Sequence, residues 1–285
     1  MKRILLPTDF SKNAYNAIRY ALRLYQDQPC AFYLLNTYTP ATYIEGATLT
    51  SGYTALQLEQ MAATNSKMGL DKTEDRIRKE FHNPKHVIKK ISSFNMLVSE
   101  INSVVTSLGM DLIVMGTKGA TGAKEVFIGT QTMYTIKKVK CPVIAVPENF
   151  EYTDPKELLF VTDFKCNPDN RFLHDLKDIA DDHNARVNFL NVHYHEDLSE
   201  EQELTKDYMD RYFGTTSHVF HTFQDVDIEE AIDTFQKEHR INLLSMIHNK
   251  HSFFENLLFK PVINQIAFHT SVPFLVIPSE QRINS

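Results

Sequence analysis

The chain has 285 residues, 42% of them apolar and 23% charged, with a net charge of −6. That length suits two domains of ordinary size, and the acidic balance, with no basic stripe carrying interleaved aromatics, argues against a nucleic-acid partner. No run of about 18 apolar residues is available to span a membrane, Met1-Lys-Arg leads into Ile4-Leu-Leu-Pro7 without a signal-peptide core, and Cys30, Cys141 and Cys166 form no C-x-x-C pair, so a cytoplasmic protein with reduced thiols is expected.

Along the first half, short apolar runs alternate with segments of helical periodicity. Strands are expected near residues 3–7, 31–37, 86–91, 111–115 and 142–146, and helices near 12–26, 56–81, 94–108 and 124–138. Ser11 is placed to cap the first helix. Pro147 to Pro155, with Glu, Asn and Asp between two prolines, reads as a linker. Strands follow near 157–162, 186–193, 217–223, 242–247 and 273–277, and Asp227-x-x-Glu230 has the form of a capping box ahead of Ala231, Ile232 and Phe235.

The second half repeats the first. Lys2-Arg-Ile-Leu-Leu-Pro-Thr-Asp9-Phe10 returns as Glu157-Leu-Leu-Phe-Val-Thr-Asp163-Phe164, and Ala31-Phe-Tyr-Leu-Leu-Asn36 as Val187-Asn-Phe-Leu-Asn191. Asp111-Leu-Ile-Val-Met115 returns as Asn242-Leu-Leu-Ser-Met246, and Cys141-Pro-Val-Ile-Ala-Val-Pro147 as Val272-Pro-Phe-Leu-Val-Ile-Pro278. Four matches in one order read as a tandem duplication, with domains over 1–148 and 155–285. The alternation of strand and helix in each copy predicts an α/β fold: two flavodoxin-like or Rossmann-like doubly wound domains, each with a five-stranded, mostly parallel sheet. Such sheets bind ligands beyond the carboxyl ends of their strands, at the switch point. In the first copy that rule selects Asp9, Thr37 and the segment after the fourth strand.

That last segment is the most informative in the chain. Met115-Gly-Thr-Lys-Gly119-Ala-Thr-Gly122, followed by Gly129-Thr130-Gln131, places four of the nine glycines within fourteen residues. Glycine removes the Cβ and permits positive φ, so consecutive N–H groups can close around an anion. Neither G-x4-G-K-[ST] nor G-x-G-x2-G is present, which disfavours a P-loop NTPase and an ordinary dinucleotide-binding domain. The pattern that stands is G-x2-G-x9-G-[ST], at Gly116, Gly119, Gly129 and Thr130. With Pro7-Thr8-Asp9 at the end of the first strand, it resembles the nucleotide-binding signature of the universal stress protein family.

The resemblance implies ATP, with or without Mg²⁺, in the first copy. Asp9 would contact the nucleoside, Thr37 would lie by the base and Met115 near the adenine. Gly116, Gly119, Gly129 and Thr130 would hold the phosphates and ribose, with Pro7 and Gln131 flanking them. It further implies a stress-response regulator or sensor, an internal pseudo-dimer packed through the final strands, and pairing of chains into a homodimer. From position alone Asp9 serves equally well as a capping residue beside Ser11, and Lys118 and Lys124 are as readily exposed lysines as phosphate partners. No placed general base accompanies the glycines. Slow turnover of ATP is compatible with these residues, whereas a dedicated ATPase, kinase or adenylating enzyme is not what they describe.

The second copy departs from the signature. Ile247, Lys250, Lys260 and Pro261 stand where the first copy has Gly116, Gly119, Gly129 and Thr130, and proline removes an N–H where a phosphate would need one. The halves also differ in charge: residues 1–150 hold 18 basic and 12 acidic side chains, net +6, and residues 151–285 hold 12 and 24, net −12. A basic half suits an anionic ligand. Ten of the twelve histidines follow residue 150, and His193, His195, His248 and His251 cluster with Asp163 at strand ends. Imidazole and carboxylate form a normal zinc set, so the second copy offers an alternative function as a metal- or small-molecule-binding scaffold. Strand-end histidines that never converge explain the same spacing.

Overall fold

The computed structural model describes residues 1–39, 52–117, 129–167, 170–193, 197–248 and 271–279. Strand and helix alternate within each half of these residues, the last two strands apart. The first half contains β1 (Lys2–Pro7), α1 (Lys12–Leu24), β2 (Cys30–Tyr38), α2 (Gly52–Glu80), β3 (His86–Phe94), α3 (Leu97–Leu108), β4 (Leu112–Gly116), α4 (Thr130–Lys138) and β5 (Val143–Val146). The second contains β6 (Glu157–Val161), α5 (Leu173–His183), β7 (Arg186–His193), α6 (Glu200–Phe213), β8 (His218–Gln224), α7 (Ile228–His239), β9 (Leu243–His248) and β10 (Phe274–Pro278). All ten expected strands are present, β3 continuing to Phe94 instead of ending near residue 91. The expected fourth helix opens at Thr130, and its residues 124–128 lie outside the described residues.

The described residues fall into two compact units, one ending at Cys141 and the other beginning at Pro142. In the first unit the strands run in the order β3-β2-β1-β4, all parallel. Parallel strands covered on both faces read as continuous apolar runs, and Ile4, Leu5, Leu6, Phe32, Leu34, Leu35 and Ile113 are accordingly sealed from solvent. Each such side chain contributes about 1.5–3 kcal/mol by burial. α1 packs on β1 and β4, α2 on β2 and β3, and α3 on β2 and α4. Strand order reverses at β1, which places a switch point between β1 and β4. This is the Rossmann-type order; a flavodoxin-type sheet would run 2-1-3-4-5.

The second unit runs β5-β10-β9-β6-β7-β8, parallel except for β5 against β10. In that antiparallel pair Ala145 lies opposite Phe274, Ile144 opposite Leu275 and Val143 opposite Val276. All six side chains are buried, which is why β5 belongs to this unit and the division precedes it.

Helix termini follow local chemistry. The Ser11 hydroxyl caps α1 by accepting from the Ala14 N–H. The expected capping box at Asp227 and Glu230 is not formed: Asp227 does cap α7, but its carboxylate accepts from the Glu229 N–H in a tight Asx turn. The capping box in the described residues belongs instead to Ser199 and Gln202, at the start of α6.

Candidate functional site

At the switch point of the first unit the chain passes from β1 into α1 within four residues. The Thr8 N–H continues the ladder to the Leu35 carbonyl at 2.8 Å, and the Asn36 amide donates to the Thr8 carbonyl at 2.7 Å. The Thr8 hydroxyl then accepts from the Phe10 N–H, and Asp9 Oδ1 from the Ser11 N–H, both at 3.0 Å. These two turns put Phe10 at φ 65°, in the left-handed region. The same set recurs in the second unit. Thr162 bonds to Leu190, Asn191 to Thr162, Phe164 to Thr162 and Lys165 to Asp163, with Phe164 at φ 54°.

The corner shows which residue caps α1. Ser11 is the cap of α1, so Asp9 organises the turn before it and stands exposed at the carboxyl end of β1. Pro7 is buried as the last residue of that strand, and Thr37 is half-buried near the end of β2, in register with Ser93. Met115 is buried in β4, and Gly116 ends it. Gly116 packs against α1: a Cβ there would lie 2.6 Å from the Asn13 amide, which would have to shift. Gly119, Lys118 and Lys124 lie outside the described residues.

Gly129, Thr130 and Gln131 form the N-terminal end of α4. Gly129 is the N-cap, in extended conformation at φ −58° and ψ 152°. Its N–H donates to the Thr117 carbonyl, and the Thr132 hydroxyl donates to the Gly116 carbonyl at 2.8 Å. The start of α4 is thereby fastened to the end of β4. The first intrahelical bond runs from the Met133 N–H to the Gly129 carbonyl, so the amides of Thr130, Gln131 and Thr132 precede it. No side chain caps this terminus, no acidic residue occupies its first turn, and Lys137 and Lys138 sit at the far end. A helix end of that kind favours an anion through both its dipole and its unsatisfied N–H groups.

The second unit presents a different surface at the matching place. Asp163 lies two residues past the end of β6, His248 ends the neighbouring strand β9, and His248 is 1% exposed. His193 ends β7, its side chain lying outside the described residues together with His195 and His251. The Gln202 amide of the α6 capping box donates to the Asp163 carbonyl at 2.7 Å. Desolvation and the nearby Asp163 charge push the half-buried Cys166 thiol up to about 12, which keeps it protonated and unreactive. Among the described residues, three potential metal donors converge at His174, Asp175 and Asp178, within 4.8 Å. These positions share the first turns of α5 and were not singled out by the sequence, because one helix supplies all three without a spaced motif.

The sequence model of the universal stress protein family matches residues 1–147, over half of the chain. The chain belongs to the universal stress protein family. A universal stress protein of Methanocaldococcus jannaschii is 33% identical over 72 residues, covering 25% of this chain and 44% of that relative. The chain thus matches less than half the length of this curated family member. Among solved structures it is similar to a universal stress protein from Archaeoglobus fulgidus, with a TM-score of 0.66, 16% identity, and coverage of 97% of this chain and 96% of that one. It is also similar to a functionally unknown protein from Pseudomonas aeruginosa, with a TM-score of 0.61, 12% identity, and coverage of 100% and 95%. At these identities the likeness establishes the α/β fold. No helix among the described residues is long and apolar enough to cross a membrane.

Proposed function

We propose that the first unit binds ATP or a related adenine nucleotide at the switch point between β1 and β4, and that the protein is a cytoplasmic stress-response regulator or sensor. The observation that carries this reading is the uncapped N-terminus of α4, held at the end of β4 by bonds to two successive carbonyls. Its amides present a fixed anion-binding surface after β4, and the exposed Asp9 carboxylate, which suits a ribose hydroxyl, follows the neighbouring strand β1. Membership of the family and the G-x2-G-x9-G-[ST] spacing support the same assignment. The second unit, with Ile247 inside β9 where the first has Gly116, serves another role in this reading and does not hold a second nucleotide.

Gly129→Asp tests the assignment. Aspartate is a better N-cap than glycine and suits the extended backbone there, so α4 should fold as well or better. Its carboxylate would compete for the amides and repel phosphate. Calorimetry should show ATP bound by the natural protein and at least about tenfold weaker binding in Gly129→Asp, with an unchanged or raised melting temperature. No binding by the natural protein, together with no nucleotide released from a fresh preparation, would sink the reading. Equal affinity in the variant would move the site away from α4.

A further inference from the structure

We infer that Thr132 is a positioning residue of the anion site: its hydroxyl sets the first turn of α4 so that the amides of Thr130 and Gln131 meet a phosphate, without itself touching the nucleotide. This rests on the nucleotide reading above and adds the residue that makes the cradle rigid.

Threonines deeper in the helices of this chain bond locally, a choice that the first turn of α4 does not offer within the helix. Inside a helix a threonine hydroxyl normally bonds back to the carbonyl four residues earlier. Thr73, Thr106, Thr135 and Thr205 do so, to Gly69, Asn102, Gln131 and Glu201, at 2.8–3.0 Å. Thr132 lies in the first turn of α4, is 2% exposed, and reaches out of its helix to the Gly116 carbonyl. It spends its hydrogen bond on tertiary position.

The acceptor is itself held. Gly116 packs so closely on Asn13 of α1 that there is no room for a Cβ, and Asn13 is 4% exposed. The strand end is therefore packed directly against α1. A single bond between helix and strand would leave the helix free to swivel about it. The second bond, from the Gly129 N–H to the Thr117 carbonyl, removes that freedom. Dipoles fixed before the ligand arrives cost no reorganisation on binding.

Thr132→Val keeps the shape and removes the hydroxyl, and Thr132→Ser keeps the hydroxyl. Titrating each with ATP and with adenosine separates a role at the phosphates from a general effect on folding. Thr132→Val should bind ATP about tenfold more weakly, about the net worth of the one hydrogen bond removed from the positioning pair, with adenosine affinity within twofold of the natural protein; Thr132→Ser should bind both normally. ATP affinity unchanged in Thr132→Val, or equal losses for ATP and adenosine, would overturn the inference while leaving the nucleotide site standing. Failure of the natural protein to bind either ligand would overturn the site and the inference together.

Discussion

At Gly116 the motif and the packing give different reasons for the same residue. The glycine-rich pattern suggests backbone kept bare for a ligand, yet the atoms nearest a Cβ at this position belong to Asn13, at 2.6–2.7 Å. Its φ is not left-handed, so close approach of α1 is what demands glycine. Gly116→Ala should cost about 1–3 kcal/mol, as overpacking of a well-filled core does. If Asn13 is the cause, Asn13→Ala in the same chain should recover part of that loss in urea melts. Strictly additive losses in the double variant would show that the contact is not responsible. A spacing rule cannot tell a glycine facing a ligand from one facing a helix.

The corners between β1 and α1 and between β6 and the chain leading to α5 are the elements on which the repeat is most legible. Thr-Asp-Phe occurs at both, and both adopt the same two turns with phenylalanine in the left-handed region. That conformation costs an L-residue about 1–2 kcal/mol, so glycine at either position relieves strain. Burial decides the net outcome. Phe10 is 41% exposed, its ring lying across Gly69 of α2, whereas Phe164 is 2% exposed and neighbours Phe220. Phe10→Gly should leave stability within about 1 kcal/mol of the natural protein, and Phe164→Gly should lower it by about 2–3 kcal/mol, since emptying a buried phenylalanine site costs about 3–5 kcal/mol. Chemical denaturation followed by circular dichroism checks both. Equal losses at the two corners would mean that burial does not set the difference. The strands were legible because parallel strands buried on both faces leave continuous apolar runs. Asp227 and Glu230 misled because Asp227 found a nearer N–H, while Ser199 and Gln202 carry the same box in a stretch of acidic residues that hides it.

Over the whole molecule, pairing partners set the division that composition could not show. Pro147 to Pro155 has the sequence of a linker, but β5 before it is held by β10, more than a hundred residues later, and no local pattern encodes that choice. Among the described residues, each unit also carries a histidine whose protonation opposes folding. Burial lowers the pKa of His86, with Lys85 adding to the effect and the hydrogen bond to the Tyr25 carbonyl opposing it. Burial also lowers that of His221, reinforced by His239 and Arg186 and opposed by Glu157. Both rings are neutral in the folded chain at pH 7. Below about pH 6.5, the ordinary histidine value, the unfolded chain takes up these protons more readily than the folded one. Stability is therefore full above that pH and falls as pH drops toward the lowered folded values. The depressed carboxyls of Glu74, Asp154 and Asp181 act in the same direction but at lower pH, below the ordinary carboxyl range. Acid destabilisation should thus begin between pH 6.5 and 5, before the carboxyls contribute. His86→Gln retains a donor for the Tyr25 carbonyl, 2.9 Å from the ring, and His221→Gln one for the Asn188 side chain, 3.1 Å away. Combining them should flatten the change in denaturant midpoint between pH 7.5 and 5.5 while leaving the loss below pH 4. An undiminished shift in the double variant would place the first protonation at other groups.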